Sequence, residues 1–263
     1  KLVAPAKLHK AQAAIESMLP YERRLHHILT DFMSNCTEVT SPFIVKREVK
    51  KVAVVVFASN TSLCGGFNAN VIRHLVDLLA EYKPLGLENI LVFPVGKKVA
   101  DAVRKLGFRI EGDFQHMADK PSYQEAADLA ADLMKRFLHG DVDKVELLYN
   151  HFKSTASQIL TRETYLPIDL NNEKKEEERT IDYILEPSAE ELMQEMLPKV
   201  LRMKMFTVLL DSNAAEHAAR TMAMQIATDN ANELLQELTV MYNKSRQQSI
   251  TNELLDIVGG SMA

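Results

Sequence analysis

The sequence predicts an α/β protein in which an antiparallel coiled coil of N- and C-terminal helices joins a Rossmann-like α/β domain with a mostly parallel sheet. Three observations predict it. Apolar residues recur at alternating spacings of three and four through the first 34 residues, the seam of a coiled coil or helical hairpin. Strand-like and helix-like patterns then alternate through residues 50–150, the signature of a parallel sheet with helices on its faces. Finally, the 60 residues from 199 to 258 contain neither Gly nor Pro. A helix of that length rises roughly 90 Å, where globular helices average about 11–12 residues, so it is no core element of a compact domain.

In the first segment the seam is Leu8, Ala11, Ile15, Met18, Glu22, Leu25, Leu29 and Phe32, apolar except for Glu22. Pro20 interrupts it and predicts a kink near Leu19, because an interior proline removes a backbone hydrogen bond. Pro5 is out of place for the same reason. Residues 51–57 form a β-branched apolar run suited to a strand buried on both faces. A loop over 58–66 leads into an amphipathic helix over 68–82. Strands are predicted at 89–95, 107–110 and 144–149, and helices at 97–106 and 123–138. Residues 158–166 read as extended. The charged run NNEKKEEER at 171–179 reads as a solvated loop before a further extended stretch at 180–185.

Pro187, Ser188, Glu190 and Glu191 mark a helix start, and Pro198 predicts a break or kink. Beyond it Ala215, Ala219, Ala223, Ala227 and Ala231 repeat every fourth residue, a ridge of small side chains that permits close helix approach. Leu234, Leu238 and Met241 continue the seam; Ser245, Gln248 and Asn252 make it polar, and Leu255 apolar again. The expected organisation is an N-terminal coiled-coil helix at 1–48, an α/β foot domain at 49–186 and a long C-terminal coiled-coil helix at 187–263.

The formal net charge of −5 argues against a basic nucleic-acid footprint. Two cysteines are too few for a disulfide scaffold. No CxxC, HExxH or HxH pattern occurs among the cysteines and eight histidines, so no metal or other cofactor is expected. Apolar runs fall far short of the roughly 20 residues that span a bilayer. The segment SLCGGFN at 62–68 lies between a strand and a helix, where α/β proteins place phosphate loops, yet neither GxGxxG nor GxxxxGK[ST] is present. No pair of carboxylates suggests acid–base catalysis. The polar run YNKSRQQSIT at 242–251 suggests a helix surrounded by protein that must not grip it hydrophobically.

These residues resemble one family. MQIATDNANELLQELTVMYNKSRQQSITNELLDIV at 224–258 is similar to the C-terminal signature of gamma subunits of F-type rotary ATP synthases, with Asp256 where Glu is usual. SLCGGFNAN at 62–70 resembles the family's GLCGG-x-N turn. The opening LVAPAKLHKA resembles its MVA-x-SKM-x-KAQ segment, although Pro5 replaces a small helix former; Pro20-Tyr21 and Glu186-Pro187-Ser188 also recur there. The family's first helix begins some residues earlier, so this sequence is expected to be N-terminally truncated. The cysteine-bearing insertion of chloroplast members is absent, which points to a bacterial type.

The resemblance implies a non-catalytic subunit: the central rotor shaft that couples ion flow through the membrane ring to conformational cycling of the catalytic beta subunits, on the cytoplasmic face of a bacterial plasma membrane, as a peripheral protein. It implies partners in the alpha and beta subunits of the head, the epsilon subunit and the membrane ring. Carried over by motif, Lys7, Lys10, Cys64, Asn68, Arg246, Gln247 and Thr251 would meet the alpha and beta subunits, and Ile181, Asp182 and Tyr183 would lie toward epsilon and the ring. From the residues alone two other readings stay open. One is a nucleotide-binding α/β enzyme with a coiled-coil oligomerisation arm; the other is a coiled-coil adaptor unrelated to ATP synthesis.

Overall fold

The structure, a computed structural model, describes residues 3–35, 41–168 and 189–261. It divides into two compact units, Lys1–Met222 and Ala223–Ala263.

Within the first unit, five strands form one sheet in the order β3-β2-β1-β4-β5: β1 (Val52–Phe57), β2 (Ile90–Val95), β3 (Arg109–Ile110), β4 (Lys144–Ser154) and β5 (Ser157–Leu166). The first four run parallel and β5 is antiparallel to β4. The mostly parallel sheet expected from the alternating pattern is therefore present. Between the strands lie α2 (Phe67–Tyr82), α3 (Lys97–Lys105), α4 (Gln115–Asp119) and α5 (Tyr123–His139).

The β-branched run of β1 is buried at every position, because a parallel strand in the middle of a layered fold has no wet face. Val52, Val54 and Val56 join Ile90, Val92 and Leu148 beneath Val71, Leu75 and Leu79 of α2 and Val99 and Val103 of α3. On the opposite face Ala53, Val55, Phe57, Phe93, Leu147 and Tyr149 pack against Leu129, Leu133 and Phe137 of α5. Helix α1 (Val3–Asn35) and the early part of α6 (Ala189–Ser261) add to this second core. Ala11, Ile15 and Leu29 share it with Met193, Leu197, Leu201, Met205 and Leu209. Leu8, also a seam residue, is buried, and Met18 is half-buried. Glu22, the polar member of the seam, acts electrostatically on Tyr149.

Several expectations change. Helix α1 runs through Pro20 and α6 through Pro198 without an interruption in helical assignment. Each proline forfeits one backbone bond, which a helix seated on a core withstands; of the break or kink expected at Pro198, the break does not occur. Pro5 falls in the first turn of α1, where its amide would have no partner within the helix. Strand β4 continues to Ser154, five residues past the predicted end at Tyr149, and α4 was not predicted. The stretches 171–179 and 180–185 lie outside the described residues.

The alanine ridge also divides. Ala215 and Ala219 are buried, Ala223 is half-buried, and Ala227 and Ala231 are exposed. Ala215→Leu should therefore overpack its seat and destabilise the chain by about 1–3 kcal/mol, whereas Ala231→Leu should change stability by less than about 0.5 kcal/mol. Thermal melting of the two variants checks the contrast, with Ala223→Leu expected between them.

The second unit, Ala223–Ala263, is helical as far as Ser261. Every residue from 229 to 258 is exposed. Large apolar side chains are among them, including Leu234, Leu238, Met241, Leu254, Leu255 and Ile257.

Candidate functional site

In an open parallel sheet, ligands bind outside the carboxyl ends of the strands, where the strand order reverses. Here β1 has β2 on one side and β4 on the other, and the reversal falls between β1 and β4. The loop over 58–66 leaves β1 at this point. It is tightly pinned. Ser59, wholly buried, donates its amide to Asn68 Oδ1 at 3.0 Å and its hydroxyl to the Thr61 carbonyl at 2.6 Å. Asn68 Nδ2 donates to Ser59 Oγ at 2.7 Å and to the Cys64 sulfur at 3.2 Å. Asn60 bridges to α3 and α4, accepting from the Lys97 amide at 2.8 Å and donating to the Gln115 carbonyl at 2.8 Å. These bonds hold Leu63 in the left-handed region, φ 68°, with its side chain 71% exposed.

Helix α6 occupies the crevice itself. Ala215 and Ala219 pack on Cys64 and Phe67, with Phe152 of β4 against the same cluster. Asp211 Oδ1 accepts the Phe152 amide at 2.8 Å, and Oδ2 meets His151 Nδ1 at 2.6 Å. Asn213 donates to the Ala118 carbonyl at 3.0 Å. Arg220 pairs with Glu216 and donates to Thr61 Oγ1 at 2.8 Å. The cavity left among Phe57, Val95, Leu209 and Glu216 is about 10 Å³, room for one water. The protein's own helix thus fills the place where a nucleotide would lie, and the enzyme reading loses its site.

The charges in this seam are perturbed for identifiable reasons. Burial pushes the Asp211 carboxyl up, against the opposing pull of His151 and the Phe152 amide. Burial likewise raises Glu216, with Arg220 opposing. His217 is pushed down to about 4 by burial, by Arg220 and by Lys7, so it is neutral at physiological pH. Lys7, near the start of α1, is thus within electrostatic reach of His217 on α6. Among the described residues no cluster of His, Cys, Asp and Glu is arranged to hold a metal, and no helix is long and apolar enough to cross a membrane.

The residues singled out from the sequence do not form one site. Lys7 and Lys10 are exposed on α1. Cys64 is a buried free thiol and Asn68 is half-buried beside it, so the large apolar side chain this loop offers to a neighbour is Leu63. In the second unit Arg246, Gln247 and Thr251 are all exposed, with Thr251 Oγ1 donating to the Gln247 carbonyl at 2.9 Å. Ile181, Asp182 and Tyr183 lie outside the described residues. Sequence reasoning missed Asp211 and Arg220; Asp211 stands four residues before Ala215, in line with the alanine ridge, and Arg220 stands four after its partner Glu216.

Comparison with known proteins now bears on the assignment. The family model described as "ATP synthase" matches residues 1–263. The ATP synthase gamma chain of Phocaeicola vulgatus is 80% identical over 100% of this chain and 92% of its own length. That of Bacteroides fragilis is 62% identical with the same coverage. The central stalk and c-ring structure of Tetrahymena thermophila mitochondrial ATP synthase covers 86% of this chain and 99% of its own, with a TM-score of 0.57 at 20% identity. Euglena gracilis mitochondrial ATP synthase in rotational state 3 gives 0.55 at 20% identity, over 98% and 95%. The two solved structures bear on the fold, and the identities bear on the family: this chain belongs to the ATP synthase gamma chains.

Proposed function

We propose that the chain is the central rotor shaft of an F-type ATP synthase, a non-catalytic subunit whose rotation drives the catalytic beta subunits through their nucleotide-binding states. One observation carries the reading. The helix over 229–258 buries none of its residues, yet it bears Leu, Ile, Met, Val and Tyr side chains along with its charges. Exposed apolar surface on this scale is the mark of a protein partner. The apolar side chains are interrupted by Asn243, Lys244, Ser245, Arg246, Gln247, Gln248 and Ser249, which make contacts that form and break rather than a permanent hydrophobic seal. Charge-assisted hydrogen bonds of about 1.5–3 kcal/mol suit that use.

On this reading Arg246, Gln247 and Thr251 meet the alpha and beta subunits inside the head. Lys7, Lys10, the 58–66 loop with Cys64, and Asn68 at the start of α2 lie at the foot of the beta subunits. Ile181, Asp182 and Tyr183 lie toward epsilon and the membrane ring. The working division we propose is the one read from the sequence: an N-terminal coiled-coil part at 1–48, whose described helix ends at Asn35, an α/β foot at 49–186 and a long C-terminal coiled-coil part at 187–263. The complex is held at the cytoplasmic face of the membrane, with this chain peripheral.

The test is co-expression of the full chain with alpha and beta subunits. A complex should purify with one copy of this chain and should hydrolyse ATP. Arg246→Ala should leave melting within about 0.5 kcal/mol of the parent, since the side chain is exposed. It should lower hydrolysis about tenfold, the loss of one charge-assisted contact. Failure of the chain to assemble with alpha and beta subunits would overturn the reading; unchanged turnover in Arg246→Ala at matched complex levels would remove that residue from it.

A further inference from the structure

Strand β4 is longer than its place in the sheet requires. Its pairing with β1 ends at Leu148, but it continues to Ser154 with β5 as its neighbour. The β4–β5 hairpin therefore overhangs the parallel sheet. The overhang brings His151 and Phe152 to Asp211, and both oxygens of that carboxylate are used: Oδ1 by the Phe152 amide at 2.8 Å and Oδ2 by His151 Nδ1 at 2.6 Å. The Asp211 side chain is 14% exposed. One and two turns further along α6, Ala215 and Ala219 seat against Phe152, Cys64 and Phe67.

We propose that Asp211 is a positioning residue for torque transmission, the latch that stops α6 from rolling or sliding against the α/β unit when the shaft is loaded. The proposal rests on the rotor reading above. Alanines let helix and hairpin approach closely, but smooth apolar contacts resist sideways sliding weakly, because dispersion is non-directional. A hydrogen bond to a backbone amide is directional, and the amide is fixed by its own strand. Placed beside the alanine seat, it sets both the rotation and the height of α6. Other polar ties of this stretch are spread along it: Tyr165 Oη to the Leu201 carbonyl at 2.8 Å, Lys204 to Glu163 of β5 at 3.3 Å, Asn213 to the Ala118 carbonyl, and Arg220 to Thr61. The Asp211 contact is set apart by holding two adjacent residues of the overhang at once, the Phe152 amide and the His151 ring. An overhanging hairpin has no use in the sheet; as an arm that reaches the shaft it has one.

The experiment uses the complete membrane-bound complex in inverted vesicles and reads ions pumped per ATP hydrolysed. Asp211→Ala removes the acceptor. Asp211→Asn keeps an oxygen for the Phe152 amide. The parent complex should assemble and pump; if it does not, the rotor reading has failed and not merely the latch. With the parent intact, Asp211→Ala should hydrolyse ATP within about twofold of the parent while its pumping ratio falls about fivefold, and Asp211→Asn should retain a ratio within about twofold. Three outcomes overturn the proposal. An unchanged ratio in Asp211→Ala means that the contact carries no load. An equal loss in both variants means that charge, not the backbone bond, matters. A variant Asp211→Ala that does not fold or assemble makes Asp211 a residue of stability.

Discussion

Gly96→Ala should lower the stability of the first unit by about 3–5 kcal/mol. Gly96 follows β2 with φ 112° and ψ 145°, a conformation essentially reserved for glycine. A Cβ there would stand 2.2 Å from the Ala58 carbonyl oxygen and 2.8 Å from its carbon. Those are backbone atoms at the end of β1, and they cannot swing away as a side chain would. The surrounding bonds fix them further: the Ala58 amide donates to the Val95 carbonyl at 2.8 Å, and the Lys98 amide to the Ser59 carbonyl at 3.2 Å. Relief would mean parting the carboxyl ends of β1 and β2, which also carry the loop that meets α6. Melting should fall by about 10 °C for a unit of this size. A melting temperature within a degree or two of the parent would show that the two strand ends are free to move apart.

Glu146→Ala should cost about 3 kcal/mol, through a different mechanism. Glu146 is 2% exposed on the sheet face that also carries Val52, Val54, Val56, Ile90, Val92 and Leu148. It is tolerated there because Arg162 holds it by two nitrogens, Nε at 3.0 Å and Nη2 at 3.2 Å, and Lys144 Nζ stands at 2.6 Å. Lys144 also donates to Tyr82 Oη at 3.1 Å, and Arg162 reaches Glu81 at 2.7 Å. Removing the carboxylate leaves two cations facing apolar surface without their central anion. The pH dependence gives a second check. Burial alone would raise the Glu146 carboxyl, but the bonds from Lys144 and Arg162 outweigh it and hold the group below its usual range. A carboxyl depressed in the folded state contributes stability above its unfolded pKa and loses it as pH falls through the folded value. The gap between parent and variant should therefore be full at neutral pH and close in acid, below about pH 4.5. A gap that does not change between pH 7 and pH 3 would assign the effect to packing.

The elements were largely legible because periodicity reports burial. Val52 to Phe57 could be read as a doubly buried strand, and the seam Leu8, Ala11, Ile15 and Leu29 as a helix face, because apolar residues betray a core wherever they recur in register. The rest was hidden for a physical reason. Glu146 and Asp211 look like surface carboxylates in a sequence, since a charge announces neither its burial nor its partner; only the fold brings Arg162 and the Phe152 amide to them. Pro198 left a break and a kink both open for a related reason. Pro198 costs the same bond in any helix, and the packing of Met193, Leu197 and Leu201 on either side of it, which holds the helix together, is a tertiary fact. Cys64 drew attention as a possible contact because of its motif, while the structure buries its sulfur and turns Leu63 outward. The polar run around Arg246 was readable as a surface, but what it touches is a property of other chains.

The bare helix over 229–258 also bears on how such a chain is made. Until partners enclose it, its leucines, isoleucines and methionines face water, and helical surface of that kind associates with whatever apolar surface is nearest. A newly synthesised copy is therefore at its most vulnerable between release and capture.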